Sequence, residues 1–164
     1  FTARPFHENA VTQIKSRHRR KIVFLSLGGS NMGLDFDINV GGLPYDFISA
    51  GALRLKGENV ETLDKSVGNS QDYVKAADFC IAKAGWTTVS EIMLAGARAA
   101  FLERKDTPED TMTIAELKRR KAVISISTED LKNMKKVMER LEQHSGTGRH
   151  YSNNYWKIAL EITG

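Results

Sequence analysis

Two short apolar runs, each followed by glycine, constrain the fold of this chain more than any other feature. Residues 22–27 (IVFLSL) are almost unbroken in their apolarity and end at Gly28 and Gly29, and residues 79–82 form a second such run shortly before Gly85. Continuous apolarity over strand length is typical of strands covered on both faces, as in a parallel sheet. The sequence therefore predicts an α/β protein whose strands end in glycine turns.

Strand-like and helix-like segments alternate along the rest of the chain. Further strands are predicted at Tyr45–Ala50 and at residues 60–63, 97–102 and 122–126, the last as an edge strand. Helices are predicted at residues 70–77, from Thr87 or Thr88 to Gly96, from Pro108 to Lys121, and at residues 131–143 and 155–162. The Gly-, Asp- and Asn-rich residues 30–44 predict a loop or short helix. We expect a Rossmann-like parallel sheet of about six strands with helices on both faces.

Composition narrows the functional classes. The 164 residues are 41% hydrophobic and 27% charged, so one domain can bury a sizeable core, and no apolar run is long enough to cross a bilayer. A net charge of +4 is too mild for a nucleic-acid partner to be expected. The lone Cys80 favours a reducing cytoplasm, and the four histidines lack ligand spacing, so neither a metal nor another cofactor is expected.

Basic residues cluster in two runs, residues 15–21 (KSRHRRK) and 118–121 (KRRK). A solvated helix face or helix C-terminus is the favoured interpretation, because cations are stabilised there. The alternative is attraction to anionic lipid or to a phosphorylated substrate.

The first glycine turn, Gly28-Gly29-Ser30, suits an anion. Glycine lets a phosphate approach the backbone, and the turn aims N–H groups and a hydroxyl at it. It matches neither G-x-G-x-x-G nor a Walker loop, and a plain tight turn is an equal alternative.

The second turn lies in residues 83–91 (KAGWTTVSE) and leads into a helix. Gly85, Thr87 and Thr88 would lie at that helix N-terminus, where unpaired amides favour phosphate. Glu91 has two interpretations. Spacing alone favours a capping-box partner of Thr88, but its carboxylate could also hold both hydroxyls of a ribose. Because both turns end parallel strands at one sheet edge, we predict a nucleotide-binding α/β domain.

Residues 77–103 (ADFCIAKAGWTTVSEIMLAGARAAFLE) resemble the C-terminal, nucleotide-sugar-binding half of GT-B fold glycosyltransferases. The likeness extends from Arg4 to Gln143. The WTTVSE turn is most similar to that of the transferases that move N-acetylglucosamine from UDP to a lipid-linked peptidoglycan precursor. The ARPF and KIVFLSLGGS segments are similar to the UDP-sugar hydrolase of pseudaminic acid synthesis.

The resemblance implies a role for each matching position. Glu91 would hold the ribose hydroxyls of UDP, the turn from Gly85 through Trp86 would receive the diphosphate, and the backbone of Val67 would contact uracil. The residues implied in nucleotide-sugar binding are Arg4, Gly28, Gly29, Ser30, Val67, Gly85, Trp86, Thr87, Thr88, Glu91, Glu109, Asp110 and Thr111.

The chain departs from the pattern of that family in three places. Arg98 stands where proline is common, and residues 109–114 read EDTMTI, with Thr111 and Ile114 at positions where amides contact the donor sugar. Residues 31–42 also lack the expected helix. These departures leave the donor sugar open, whereas the residues expected to bind UDP remain.

The resulting hypothesis is the donor-binding half of a metal-independent glycosyltransferase that moves a hexose or N-acetylhexosamine from UDP. The alternatives are a UDP-sugar hydrolase, a non-catalytic nucleotide-binding subunit, and an NAD-dependent oxidoreductase. Residues 1–20 would form an interdomain linker, 21–143 the Rossmann-like domain, and 144–164 a loop and closing helix. The acceptor site and catalytic residues are expected on an N-terminal domain or partner subunit, in the cytoplasm or peripherally at the inner membrane face.

Overall fold

The computed structural model describes residues 1–27, 34, 36–51, 53–64, 66–104, 107–146 and 150–155. The strands are β1 (Lys21–Ser26), β2 (Ile38–Asn39), β3 (Tyr45–Ala50), β4 (Leu55–Lys56), β5 (Val60–Thr62), β6 (Phe79–Lys83), β7 (Arg98–Leu102) and β8 (Val123–Ile126). The helices are α1 (Glu8–Arg17), α2 (Ser70–Ala76), α3 (Trp86–Ala95), α4 (Pro108–Arg119) and α5 (Met134–Gln143), the last preceded by a 3-10 turn (Glu129–Asn133).

Six strands form one sheet in the order β5-β3-β1-β6-β7-β8, and every neighbouring pair in it is parallel. Strands β1, β3 and β5 extend outward to one side of the centre, and β6, β7 and β8 to the other. The order therefore reverses between β1 and β6. In open α/β sheets a crevice forms at this point, outside the carboxyl ends of the strands.

Two apolar layers cover the sheet. On one face, α1 to α4 pack against side chains such as Phe24, Cys80 and Phe101. On the other face, Val23, Leu25 and Ile81 pack under the 3-10 turn and α5. Because the central strands are buried on both sides, their apolarity is nearly continuous rather than alternating. The predicted fold class, a Rossmann-like parallel sheet with helices on both faces, is confirmed.

Several predicted elements differ in detail. Helix α3 begins at Trp86 with Gly85 as N-cap, not at Thr87 or Thr88, and the N-cap position of α2 is Asn69 rather than Ser70, with no side-chain capping hydrogen bond. The helix predicted from residue 131 begins as the 3-10 turn. Of the helix predicted at residues 155–162, only Tyr155 lies within the described residues.

Two features were not predicted from the sequence. Residues assigned to a linker include α1, whose Val11 and Ile14 are buried against the sheet layer. In the segment after β1, β2 pairs in parallel with β4, with Ile38 opposite Leu55, and forms a small second sheet. Ile38 and Val40 belong to the same apolar layer as α5, so this small sheet covers the face where a crossover helix was expected.

Within the described ranges, no helix combines the length and apolarity needed to cross a membrane.

Candidate functional site

The candidate site lies at the point where the strand order reverses. Strands β1 and β6 are adjacent, with Ser26 opposite Ala82, so the loops that follow them start side by side. The loop after β1 carries Gly28, Gly29 and Ser30, which lie outside the described residues. The loop after β6 is described, and it leads directly into α3.

The start of α3 presents unpaired backbone donors. Gly85 is the N-cap, and no side chain caps the helix. The first helical bond is donated by Val89 to the carbonyl oxygen of Gly85, so the N–H groups of Trp86, Thr87 and Thr88 have no partner among the described residues. Gly85 and Thr87 are exposed, and no atom lies within 4 Å of the place where a Cβ on Gly85 would be. Such a helix end, with its positive dipole, attracts an anion.

Glu91 lies in the second turn of α3 and is only 8% exposed. Because the helix begins at Trp86, Glu91 is too far along it to cap the first turn, and the capping-box interpretation is wrong. Its carboxylate accepts no hydrogen bond from any described residue. Burial raises the pKa of Glu91 above its ordinary value, and the nearby positive charge of Arg4 opposes that rise. A buried carboxylate without a partner is costly, and a ligand that donates to it would remove that cost.

Two segments distant in sequence meet over the start of α3. The ring of Phe1 lies 6.2 Å from that of Trp86 and makes an edge contact with Tyr151 at 4.9 Å. Ala3 and Asn153 exchange two hydrogen bonds, of 3.3 and 2.9 Å. These contacts hold the backbone of the first segment in place beside α3, so that the exposed Arg4 lies near Glu91.

Val67 lies in the loop before α2, half-buried, where its N–H donates to the carbonyl oxygen of Asp64 at 3.1 Å. A shallow groove between α1 and α2 includes Val67 and Gly68 in its lining. The structure therefore places Val67 beside α1, packed against the apolar layer that also includes α3.

The start of α4 differs from what a sugar-contacting segment requires. Glu109 and Thr111 are exposed, and the hydroxyl of Thr111 donates to the carbonyl oxygen of Thr107. Ile114 is buried in the core at 3% exposure. Asp110 is also buried, and one of its oxygens accepts a hydrogen bond from Nε of Arg104 at 2.6 Å and lies 2.6 Å from Nη2 of the same side chain.

Sequence reasoning missed Lys83 and Arg104. Lys83 ends β6, opposite Leu102 in the register, and Arg104 follows β7 by two residues, so both lie at the carboxyl edge of the sheet. Partial burial lowers the pKa of Lys83, and the positive charge of Arg104 lowers it further. The signal was present in the sequence, because Lys83 is the last residue of one buried strand and Arg104 lies two residues after another, at the predicted edge of the sheet.

No known protein-family profile matches this sequence, and no curated protein matches it. Solved structures do match. The chain superimposes on the glycosyltransferase VinC, solved with dTDP, with a TM-score of 0.62, 14% identity and 87% coverage of this chain. The calicheamicin glycosyltransferase CalG4 matches with a TM-score of 0.61, 17% identity and 78% coverage, and MurG of Acinetobacter baumannii with 0.54, 14% and 93%.

The chain spans only 37% of VinC, 35% of CalG4 and 52% of MurG. It therefore has the fold of one half of a GT-B glycosyltransferase, consistent with the C-terminal half that the sequence resemblance implied. At sequence identities of 14–17%, the match to these structures shows a shared fold and nothing finer.

Proposed function

We propose that this chain is the UDP-sugar-binding half of a glycosyltransferase with two domains. The observation that carries the proposal is the largely buried side chain of Glu91, whose carboxylate accepts no hydrogen bond from any described residue. It lies one helical turn below the N–H groups of α3 that have no partner in the described part of the chain. A ribose 2′,3′-diol offers two donors to such a carboxylate. The diphosphate attached to that ribose would then lie at the start of α3.

In this proposal the chain contributes binding and leaving-group stabilisation. The N–H groups of Trp86, Thr87 and Thr88 would donate to the diphosphate, whose negative charge grows as the bond to the sugar breaks. The exposed Arg4 and the half-buried Lys83 would add positive charge on either side. The acceptor and the catalytic base are proposed to come from a second domain, since the chain spans less than half of VinC and CalG4.

Calorimetric titration of the full chain with a panel of nucleotides tests the proposal. We expect UDP to bind more tightly than GDP, ADP or NAD. Glu91→Gln keeps the shape of the side chain but replaces one acceptor oxygen with a donor. It should weaken UDP binding by about 1.5–3 kcal/mol, the range for hydrogen bonds to a charged group.

The matched control is Glu139→Gln, which removes an exposed carboxylate from α5 on the opposite face of the sheet. Equal UDP affinity of the Glu91 and Glu139 variants would refute the assignment of Glu91. A preference for NAD over UDP would instead favour an oxidoreductase.

A further inference from the structure

The two basic runs of the sequence have different surroundings in the structure. Arg119 and Arg120 lie at the end of α4, and both pair with Glu116, at 2.8 and 2.6 Å. Helix α1 ends before Arg19 and Arg20, which lie in the loop that leads to β1. Both are exposed, and neither guanidinium group forms an ion pair or a hydrogen bond with a described residue. A solvated helix terminus therefore accounts for the first pair of arginines but not for the second.

The second pair lines a groove of about 720 Å³, here called the arginine groove. Its walls are Arg17, Arg19 and Arg20 together with Asp46 and two turns around residues 41–42 and 57–59. These segments lie where β1, β3 and β5 begin, so the groove is at the amino edge of the sheet. The nucleotide is proposed to bind at the carboxyl edge, and six residues of extended strand separate the two edges by about 20 Å.

The two turns that line the groove approach each other closely. A Cβ on Gly57 would lie 3.1 Å from the backbone nitrogen of Gly41 and 3.0 Å from a methyl group of Val40, so a larger residue would push the turns apart. The N–H groups of Gly42 and Gly57 donate to no atom in the described part of the chain. Unpaired N–H groups in glycine turns suit the oxygens of an anion, as guanidinium groups do.

Most of the carboxylates around the groove already have a cation or a histidine beside them. Asp46 lies 3.4 Å from Nδ1 of His18, and Glu61 lies 3.6 Å from Nη2 of Arg17. Glu58 is exposed and pairs with no described residue, so it would repel an anion in the groove. Two unpaired arginines are thus set against one unpaired carboxylate.

We propose that the arginine groove binds the phosphate of a phosphate ester, at a site separate from the proposed nucleotide site. Arg19 and Arg20 donate to the phosphate oxygens through their planar guanidinium groups, and Gly42 and Gly57 donate through their N–H groups. One phosphate fills only part of the groove, which leaves room for the alcohol esterified to it. That alcohol belongs to a soluble molecule or to a membrane lipid, and the phosphate chemistry is the same for both.

Two probes that carry the same phosphate monoester test the proposal. Glycerol 3-phosphate is the soluble probe, and phosphatidic acid in phosphatidylcholine vesicles is the lipid probe. NMR of the isotope-labelled full chain follows the amide signals of Gly42 and Gly57 during titration with glycerol 3-phosphate. Co-sedimentation measures binding to the vesicles, with pure phosphatidylcholine as the blank. We expect saturable shifts of these two signals for a soluble ester, and binding to the phosphatidic acid vesicles alone for a lipid.

Three variants identify the groups that hold the phosphate. Arg19→Gln with Arg20→Gln should weaken binding of the responding probe about tenfold, as loss of a charge-assisted contact would. The matched control, Arg119→Gln with Arg120→Gln, removes the same charge from the other arginine pair and should leave the affinity nearly unchanged. Glu58→Gln should strengthen binding, because it removes the unpaired carboxylate. All five side chains are on the surface, so these changes leave the core intact.

Each contrary outcome overturns the proposal. No response of the unmodified chain to either probe does so, as do amide shifts confined to Trp86 and Thr87, which would place the phosphate at α3. Equal weakening in the two double variants would reveal attraction to net charge alone. The proposed function is tested separately by UDP titration, so either proposal can fail while the other stands.

Discussion

At the scale of single residues, Glu91 lies in an environment that does not favour its charged form. It is buried on the second turn of α3, and the described residues offer it the nearby charge of Arg4 but no hydrogen bond. A side chain kept in that state lowers the stability of the free domain. Ligand sites are commonly built this way, with a cost that binding then removes.

This cost predicts how stability depends on pH. Because burial raises the folded-state pKa of Glu91, the folded protein holds a proton that the unfolded chain has already released. Stability therefore falls as pH rises from the ordinary pKa to the raised one, and the cost is complete above that window. Glu91→Gln removes it, so we expect a higher Tm than the parent at pH 8 and a smaller difference at pH 4.

Differential scanning calorimetry at the two pH values measures the effect, with Glu139→Gln as the exposed control. A Tm for Glu91→Gln that is equal to or below the parent value at pH 8 would contradict the expectation. Raised stability together with weakened UDP binding is not expected of a merely structural residue.

At the scale of elements, α3 has glycine at both ends for different reasons. Gly85 has φ −63° and ψ 137°, values that any residue adopts, whereas Gly96 has φ +77° and ends the helix in the left-handed region. Neither position is crowded, since a Cβ on either would meet no atom within 4 Å. The backbone thus requires glycine at Gly96, and the fold does not require it at Gly85.

Alanine at these two positions should separate folding from binding. Gly96→Ala should cost about 1–2 kcal/mol of unfolding free energy, because L-residues are strained in the left-handed region. Gly85→Ala should leave stability nearly unchanged but weaken UDP binding, since its methyl group occupies the space in front of the free N–H groups. Urea unfolding and UDP titration of both variants provide the measurements. Unchanged UDP affinity of Gly85→Ala would contradict a diphosphate at this turn.

The strands could be predicted from the sequence, but parts of the fold could not. Residues 22–27 and 79–82 are apolar because both faces of their strands are covered, and that is a local signal. Helix α1 lacks a side-chain cap, and its start is fixed by Asp72, which accepts from both the backbone N–H and Nδ1 of His7 across 65 positions. The β2–β4 pair consists of two strands of two residues, too short for any periodic pattern.

Part of the candidate site could likewise be predicted from the sequence, and part could not. The glycine turn and Glu91 carry a local spacing, so the residues proposed to bind the nucleotide could be selected from the sequence. Setting aside the capping interpretation of Glu91 needed the true start of α3 at Trp86, one to two residues before the predicted one. Arg104 and Asp110 pair across six positions between the end of β7 and the start of α4, a spacing that no strand or helix period encodes.

At the scale of the whole molecule, the sheet is organised around β1, which pairs with β3 on one side and with β6 on the other. Val23 and Leu25 of this strand are fully buried. The proposed site lies directly beyond it, so the most protected part of the fold supports the residues proposed to bind the ligand.

Native-state hydrogen exchange should reflect this organisation. We expect the amides of Val23 and Leu25 to exchange only through global unfolding, whereas those of the edge strands β5 and β8 exchange faster through local opening. Exchange measured by NMR over a series of low denaturant concentrations separates the two routes. Equal protection of central and edge strands would argue against a core centred on β1.

The exclusively parallel pairing of the described strands has a consequence for synthesis on the ribosome. Lys21 pairs with Tyr45, 24 positions later, and Val23 pairs with Phe79, 56 positions later. No described strand pair is a hairpin, so little of the sheet can form from local contacts, and such topologies fold slowly. The apolar strand β1 leaves the exit tunnel before both of its neighbours and gains the second one only after β6 has left it. Until then one edge of β1 stays unpaired, and the nascent chain exposes an aggregation-prone segment of the kind that chaperones bind.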